Sequence, residues 1–415
     1  MSKKVVIIGA GIIGLCTAYY LHQEGNEVTI IDKSDFTSGA SFVNAGLITP
    51  SHIIPLAAPG VINKGIKWML NTSSPFYVKP RLDYDFLKWS WLFKQASTAN
   101  RVEKSIPAIL DINILSRTLY EEIKSTNQFD FFYKDKGLLM LYKTDKAGEE
   151  ELQVAEKAKK YGLKVSELSA EEITKLEPNV SLDIKGGIHY STDRHMTPND
   201  FMYQMKNYLV AKGVTFALGE EVKDVEVSGT KLTSIITNNT THTCDELVVA
   251  TGSWTQNFLK KLKINVPVQA GKGYRIDTYT NTGITTPSIL LEAKVAVTPM
   301  NGFTRFAGTM EIGGINHKIN KNRVNAITNA AKSYYTNLAI KEEEKIAAEC
   351  GLRPCSPDGL PYIGRLSSIT NVLVATGHAM MGWSLGPATG KLITELVSEQ
   401  KTSIDIAPFH VERFS

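Results

Sequence analysis

The segment Gly9-Ala10-Gly11-Ile12-Ile13-Gly14 follows the apolar run Val5–Ile8 and leads into a helical stretch reaching His22. A turn at Gly25-Asn26 and a second apolar run, Glu27–Ile31, end at Asp32. Each part suits the binding of a dinucleotide. Gly9 permits a tight turn out of the strand, Gly11 lets backbone approach a pyrophosphate, and Gly14 lets the helix lie close on the sheet. The helix start at Ile12 and Ile13 offers unpaired N–H groups and the positive end of a helix dipole to phosphates. Asp32, with Lys33 beside it, is placed to accept hydrogen bonds from ribose hydroxyls. The motif alone does not separate NAD from FAD. A signal anchor behind Lys3-Lys4 is a weaker reading, because Val5–Leu21 is short for a span, contains three glycines and two tyrosines, and lacks a small-residue cleavage site. A chance glycine pattern in an ordinary buried βαβ unit is the other competing reading.

These residues need elements to hold them, and the 415-residue chain is long enough for two domains and a large core. Helical periodicity covers Ile106–Ser125 and Lys146–Tyr161, and the N-cap Ser169 starts a short helix towards Leu176. Pro198 opens another helix through Lys212, and Lys321–Leu338 reads as a further one. Strands are expected at Gly137–Tyr142, Thr215–Leu218, Val222–Val227, Leu232–Thr237 and Glu246–Ala250, with antiparallel strands at Val266–Tyr279, Ala293–Thr298 and Thr304–Met310. Hydrophobic content of 43%, charged content of 21% and a net charge of +4 fit a soluble globular protein. The lysine clusters at Lys157–Lys160 and Lys260–Lys263 read as solvated faces, so no nucleic-acid partner is expected. Cys16, Cys244, Cys350 and Cys355 form no CxxC pair, so neither a metal site nor a redox dithiol is expected. Low cysteine use and the absence of a signal peptide predict a cytoplasmic location.

A second glycine cluster follows the strand Asn371–Ala375. It runs Thr376-Gly377-His378-Ala379-Met380-Met381-Gly382-Trp383-Ser384-Leu385-Gly386-Pro387-Ala388-Thr389-Gly390 and feeds a helix ending at Val397. A second helix start aimed at the cofactor suits a flavin better than a nicotinamide, since reduced flavin carries negative charge around N1 and O2. Close helix packing at Gly386 and Gly390 is the alternative reading of the same glycines.

Several further motifs bear on this choice. They are Ala250-Thr251-Gly252-Ser253-Trp254, Gly351-Leu352-Arg353-Pro354, Pro357-Asp358-Gly359, Pro361 and Gly364-Arg365. With the N-terminal motif they resemble the D-amino-acid oxidase/glycine oxidase flavoprotein superfamily. Within it, Ser41-Phe42-Val43-Asn44-Ala45-Gly46, Ala57-Ala58-Pro59-Gly60-Val61, Ile66-Lys67-Trp68-Met69 and Lys272-Gly273-Tyr274 resemble the small-subunit, FAD-dependent bacterial D-amino-acid dehydrogenases. The resemblance covers nearly the whole chain. It implies an α/β and α+β fold in which a discontinuous Rossmann-like FAD-binding domain carries a mixed or antiparallel-sheet substrate domain. The FAD domain would comprise residues 1–82, 149–258 and 346–415, and the substrate domain residues 83–148 and 259–345. It also implies oxidation of a free D-amino acid to an imino acid, which hydrolyses to a keto acid and ammonia, with a quinone or oxygen as electron acceptor.

By the same resemblance, Gly9, Gly11, Gly14 and Asp32 hold the ADP half of FAD. Ser41, Asn44, Ala45, Gly46 and Leu47 contact the pyrophosphate and isoalloxazine, and Val222 meets the adenine through its backbone. Thr251 and Gly252, near Trp254, cover the pyrophosphate, while Gly377, Met380, Met381, Gly382 and Trp383 lie against the flavin pyrimidine. Sarcosine oxidases attach flavin through a cysteine where Gly351 stands here, so the flavin is expected to be non-covalent. The chemistry requires a grip on the substrate carboxylate, a neutral amine and a Cα–H aimed at flavin N5. Arginine best supplies the grip, because its planar fork matches a carboxylate.

Arg275, Arg305, Arg353 and Arg365 compete for that role. Arg353 stands where glycine oxidase-like relatives place their carboxylate clamp, and its alternative is a structural pairing with Asp358. Arg365 reads as structural, and strand alternation leaves the facing of Arg275 and Arg305 open. Tyr274 is a candidate donor to the carboxylate or a core tyrosine, and His378 a flavin-side hydrogen-bonder or a structural one. His52 and His195 have weaker cases. The apolar stretches His52–Leu70 and Phe86–Phe93 suggest peripheral contact on the inner face of the cell membrane, against the alternative of a buried interface. Same-fold alternatives are a D-hydroxyproline dehydrogenase or a glycine/sarcosine-type oxidase. Further alternatives are a tRNA-modification oxidase domain, which would need a basic surface that the charge pattern does not supply, and a flavoprotein subunit that works only within a complex.

Overall fold

Val5, Val6, Ile7 and Ile8 are all buried, and an uninterrupted apolar run of this kind forms a strand covered on both faces. In the computed structural model, which describes residues 2–60 and 75–414, this strand is β1 (Lys4–Ile8). It pairs in parallel with β2 (Glu27–Asp32) on one side and with Glu246–Val249 on the other. Thr215–Leu218 extends the sheet beyond β2, and Val372–Thr376 extends it on the opposite side, both in parallel. Tyr362–Arg365 closes that edge antiparallel, giving six strands among the described residues. Val61, the Ile66–Met69 motif and residues 61–70 of the apolar stretch His52–Leu70 lie outside those residues.

Helix α1 (Ile12–Gln23) is apolar on nearly every side and buries Ile12, Ile13, Leu15, Cys16, Ala18, Tyr19 and Leu21. A helix with no polar face must be covered all round. The sheet covers one side, and the C-terminal helix Gly386–Val397 covers another. A Cβ on Gly390 would sit 2.5 Å from the Cys16 carbonyl carbon, so the two helices meet at backbone distance. Close packing is therefore what Gly390 provides. The helix Ala99–Ser125 lies against the same C-terminal helix, and Tyr120 Oη donates to the Trp383 carbonyl at 2.7 Å. It begins nearly two turns before the expected Ile106, because Thr98 caps it by accepting from the Arg101 N–H.

The second sheet has nine strands among the described residues. Its path runs Glu349–Cys355, Gln269–Thr278, Phe303–Ile312, Val295–Met300, Ser288–Leu290, Leu138–Tyr142, Gly186–Tyr190 and Val165–Ser169, with Phe76–Val78 added beside Phe303–Ile312. Most pairs are antiparallel, and two are parallel. Ile276, Val297, Phe306, Ile327 and Tyr334 form its core beneath the helix Lys321–Tyr334.

Sheet membership departs from the expected domain boundaries. Val165–Ser169 and Gly186–Tyr190 fall in the 149–258 segment and Glu349–Cys355 in the 346–415 segment, yet all three hydrogen-bond into the large sheet. A short strand's pattern states which face is buried but not which distant edge it will join. Among the described residues no helix is long and apolar enough to cross a membrane. Of the aromatic stretch Phe86–Phe93, Phe86, Trp89 and Phe93 are buried, while Leu87 and Trp91 are exposed together with Leu82 and Tyr84.

Candidate active site

A cavity of ≈ 1500 Å³ is lined by residues of both sheets and of the glycine loops. Small-molecule pockets run to about 1,000 Å³, so this one has room for an extended ligand with a second molecule beside it.

Its first arm is made largely of backbone. Gly9 has φ +113°, and a Cβ there would lie 2.4 Å from the Ala250 carbonyl oxygen. A Cβ on Gly14 would lie 1.9 Å from the Gly9 carbonyl oxygen, so Gly14 stays behind the wall and closes helix onto strand. Helix α1 starts at Gly11 with no side-chain cap, and the Ile12 N–H donates to Ser41 Oγ at 3.0 Å. Asp32 accepts from the Ala10 N–H at 2.7 Å and from the Ser34 N–H and hydroxyl at 2.8 and 2.7 Å. The carboxylate thus ties the glycine turn to the end of β2. With about four acceptor positions it keeps capacity for a ribose hydroxyl.

Further along this arm, Lys33, Val222, Thr251, Gly252 and Trp254 line the cavity. The Lys33 ammonium lies 3.9 Å from the centre of the Trp254 ring, and burial lowers its pKa. Gly11, Ile13, Ser41, Asn44, Ala45 and Leu47 line the central part, with Met380, Met381, Gly382 and Trp383 also in the wall. Besides Gly14, two expected contacts are not in it. Gly46 packs against the Met196 carbonyl and Gly377 against the Tyr362 ring, each too closely to allow a Cβ. Arg305, buried and paired to Asp277 at 2.8 and 2.9 Å, donates to the Phe42 and Asn44 carbonyls at 3.0 and 2.7 Å. It anchors the Ser41–Leu47 loop, a role that its sequence context did not disclose.

The second arm is made of side chains. Arg353, on Glu349–Cys355, lies over Gly273 of the neighbouring strand, where a Cβ would fall 2.4 Å from the guanidinium carbon. Its Nη1 donates to the Thr309 carbonyl at 2.8 Å. No carboxylate among the described residues pairs with it. Asp358, the alternative partner, is held by Arg413 at 2.8 and 2.9 Å. Arg365 is structural as expected, bound to Glu246 at 2.6 and 3.1 Å.

Arg275, expected as a carboxylate-binding candidate, does not line the cavity. Its guanidinium is taken by Asp277 and, at 2.9 Å, by Glu349. Tyr274 is among the lining residues, but its side chain packs in the core of the large sheet, its hydroxyl donates to Glu311 at 3.1 Å, and burial together with that carboxylate pushes the phenol pKa up. His378 is in the wall with Nε2 3.0 Å from Thr389 Oγ1, and burial lowers its pKa to about 3. It is a neutral, tethered ring at physiological pH.

The cavity also reaches residues that the sequence reading did not single out: Thr309, Met310, Lys294 and Glu151. Burial raises the pKa of Glu151, which accepts from Tyr190 Oη at 2.7 Å. His52 lines this region, its pKa lowered to about 4 by burial and then by Lys294. Nearby, burial raises Asp193 to about 7 while it accepts from the Ser51 N–H at 3.1 Å. His195 is buried outside the cavity lining. No spacing motif marks Thr309 or Lys294, because strand pairing alone brings them to the site.

FAD fits these residues on structural grounds. Gly11 lines the cavity and a Cβ there would meet nothing nearer than Ser41 Oγ at 3.3 Å, α1 has no side-chain cap from its own N-cap residue, and the Trp383 indole N–H is buried without a partner among the described residues. Cys350 is absent from the lining and donates to the His317 carbonyl at 3.5 Å. The neighbouring Gly351 lines the cavity, so no thiol of this strand stands there to form a flavin link.

Comparison with known proteins agrees. The family model described as FAD dependent oxidoreductase (DAO) matches residues 4–396. The D-amino acid dehydrogenase of Helicobacter pylori is 31% identical over 398 residues, 95% of each chain. That of Allorhizobium ampelinum is 29% identical over 99% of each. The structure of glycine oxidase from Geobacillus kaustophilus superposes with a TM-score of 0.80 at 21% identity, covering 100% of this chain and 99% of that one. A glycine-cradled dinucleotide arm, an arginine-bearing second arm and a family match over nearly the whole length place the chain in the FAD-dependent oxidoreductase (DAO) family.

Proposed function

We propose that this protein oxidises free D-amino acids, D-proline-like ones included, to imino acids that hydrolyse to keto acids and ammonia. The observation that carries this reading is Arg353. A guanidinium in a cavity wall, with one carbonyl as its hydrogen-bond partner and no carboxylate beside it among the described residues, calls for an anionic ligand. A substrate carboxylate meets that need. Gly273, lacking a Cβ, leaves the guanidinium its place. The names of the relatives support amino-acid substrates of D configuration.

Gly9, Gly11, Asp32, Ser41, Asn44 and Trp383 would hold the cofactor. When bound, FAD supplies the acceptor for the two electrons and hydrogen that leave the substrate Cα. The chain's own task is to bind and orient. Arg353 fixes the carboxylate, and the weakly polar lining contributed by Met310 and Met381 disfavours the ammonium form of the amine. His378 is neutral and tethered, so it serves as a fixed hydrogen-bonding group rather than an acid. Positioning of this kind provides much of the acceleration.

Electrons would pass on to a quinone or another carrier, or to oxygen. The exposed set Leu82, Tyr84, Leu87 and Trp91, at and beside the start of the helix Tyr84–Ala96, supports peripheral contact with the inner face of a membrane. Co-sedimentation with anionic vesicles tests that contact, and loss of binding in Leu87→Glu/Trp91→Glu is the expected result. The activity is tested by anaerobic mixing of the yellow holoprotein with a panel of D- and L-amino acids, glycine, sarcosine and D-hydroxyproline. Bleaching by D-amino acids is expected. Bleaching confined to glycine and sarcosine, or to D-hydroxyproline, would instead assign the corresponding relative's chemistry, and no bleaching by any of them would sink the reading.

A further inference from the structure

Thr309 has a backbone conformation that threonine rarely adopts. It lies within the strand Phe303–Ile312 with φ +63°, a left-handed value unfavourable for a β-branched residue. Strand register explains the geometry. Lys272 faces Glu311 and Tyr274 faces Gly308, so Thr309 and Met310 together oppose the single residue Gly273. This is a bulge in which the left-handed position normally belongs to glycine. A threonine kept there at the cost of strain points to a role for its side chain.

Two further observations suggest that role. Thr309 is buried and lines the cavity, yet its Oγ1 has no hydrogen-bond partner among the described residues. Its carbonyl is the group that accepts from Arg353 Nη1 at 2.8 Å. The same bulge therefore holds the guanidinium through its backbone and leaves a buried hydroxyl unsatisfied on a residue that lines the same cavity. Buried hydroxyls are almost always paired, and an unpaired one in a binding site awaits the ligand.

We propose that Thr309 Oγ1 is a substrate-binding donor that hydrogen-bonds the carboxylate held by Arg353, and that the strained bulge exists to set the two groups side by side. This rests on the amino-acid reading of the cavity. It makes carboxylate recognition two-sided, with a charged fork from one strand and a neutral hydroxyl from the next.

The test uses the FAD-loaded protein and a non-oxidisable probe, propionate, with propionamide as its uncharged counterpart. Binding is read from perturbation of the visible flavin spectrum, and stability from thermal melting. Thr309→Val keeps the branching and the strain but removes the hydroxyl, and it is expected to weaken propionate about ten-fold and propionamide less than about three-fold. Thr309→Ser keeps the hydroxyl and is expected to bind propionate within about three-fold of the native protein. Thr309→Gly removes strain and hydroxyl together, so it should melt no lower than the native protein while showing the same ten-fold loss. Native-like propionate binding in both the Val and Gly variants would overturn the proposal, as would a Ser variant as weak as Val. If the native protein binds propionate no better than propionamide, the amino-acid reading itself falls, and this proposal with it.

Discussion

The two arms of the cavity are built on opposite plans. The dinucleotide arm is largely backbone, and its centre, a glycine turn and a helix start tied to β2 by one carboxylate, lies within the first 34 residues. The substrate arm consists of side chains on strands that meet only through sheet pairing, with Arg353 over Gly273 and its Nη1 on the Thr309 carbonyl. Backbone cradles bind what many enzymes share, a phosphate-bearing cofactor. Side chains converging from several strands determine what is particular to one enzyme, the grip on its substrate.

The contrast predicts different failures. Gly14→Val should be the most damaging change, because its Cβ would fall 1.9 Å from the Gly9 carbonyl oxygen. The purified variant is expected to be colourless, and a normal flavin content would refute the cradle. Arg353→Met should do the reverse, keeping the flavin while kcat/KM for D-amino acids falls on the order of 10²- to 10³-fold. A variant that is still reduced normally would remove Arg353 from its role.

Arg305→Met probes the joint between the arms, since Arg305 ties Asp277 of the substrate sheet to the Ser41–Leu47 loop. It should cost about 3 kcal/mol in denaturant unfolding, because it removes one partner of a buried carboxylate. Arg275 remains beside Asp277 and limits the loss. Asp193→Asn tests the far side through pH. Burial raises the folded-state pKa of Asp193 to about 7, so the native protein holds that proton between about pH 4 and pH 7 while the unfolded chain has released it. Native stability should therefore fall as pH rises through that window, by on the order of 2 kcal/mol, and the Asn variant should flatten the profile. An unchanged slope would show that Asp193 is ionised throughout. Arg275→Gln should have the smallest effect, changing kcat/KM less than about three-fold, because its guanidinium serves Asp277 and Glu349 outside the cavity. A larger loss would return it to the carboxylate grip.

Legibility in the sequence followed the same division. The Val5–Asp32 unit was readable because strand, turn, helix and strand are contiguous and each glycine answers a local constraint. The strand positions in Gln269–Thr278 and Phe303–Ile312 were readable from composition, but not the one-residue bulge between them. That bulge sets Thr309 beside Arg353, and no local pattern encodes it. The glycines of the C-terminal cluster divided after folding. Gly382 reached the cavity, Gly377 went behind it, and Gly390 went to the contact with α1.

By itself the sequence determined the cofactor arm and the family, since short-range sterics and an exposed helix start are properties of a single contiguous segment. Tertiary structure decided which of four arginines stands free. Arg365 found Glu246, Arg275 found Asp277 and Glu349, Arg305 found Asp277 and a loop 261 residues away, and among the described residues Arg353 was left with one carbonyl. Whether a guanidinium is neutralised or open depends on which carboxylates arrive beside it, and that is settled by pairing between distant strands.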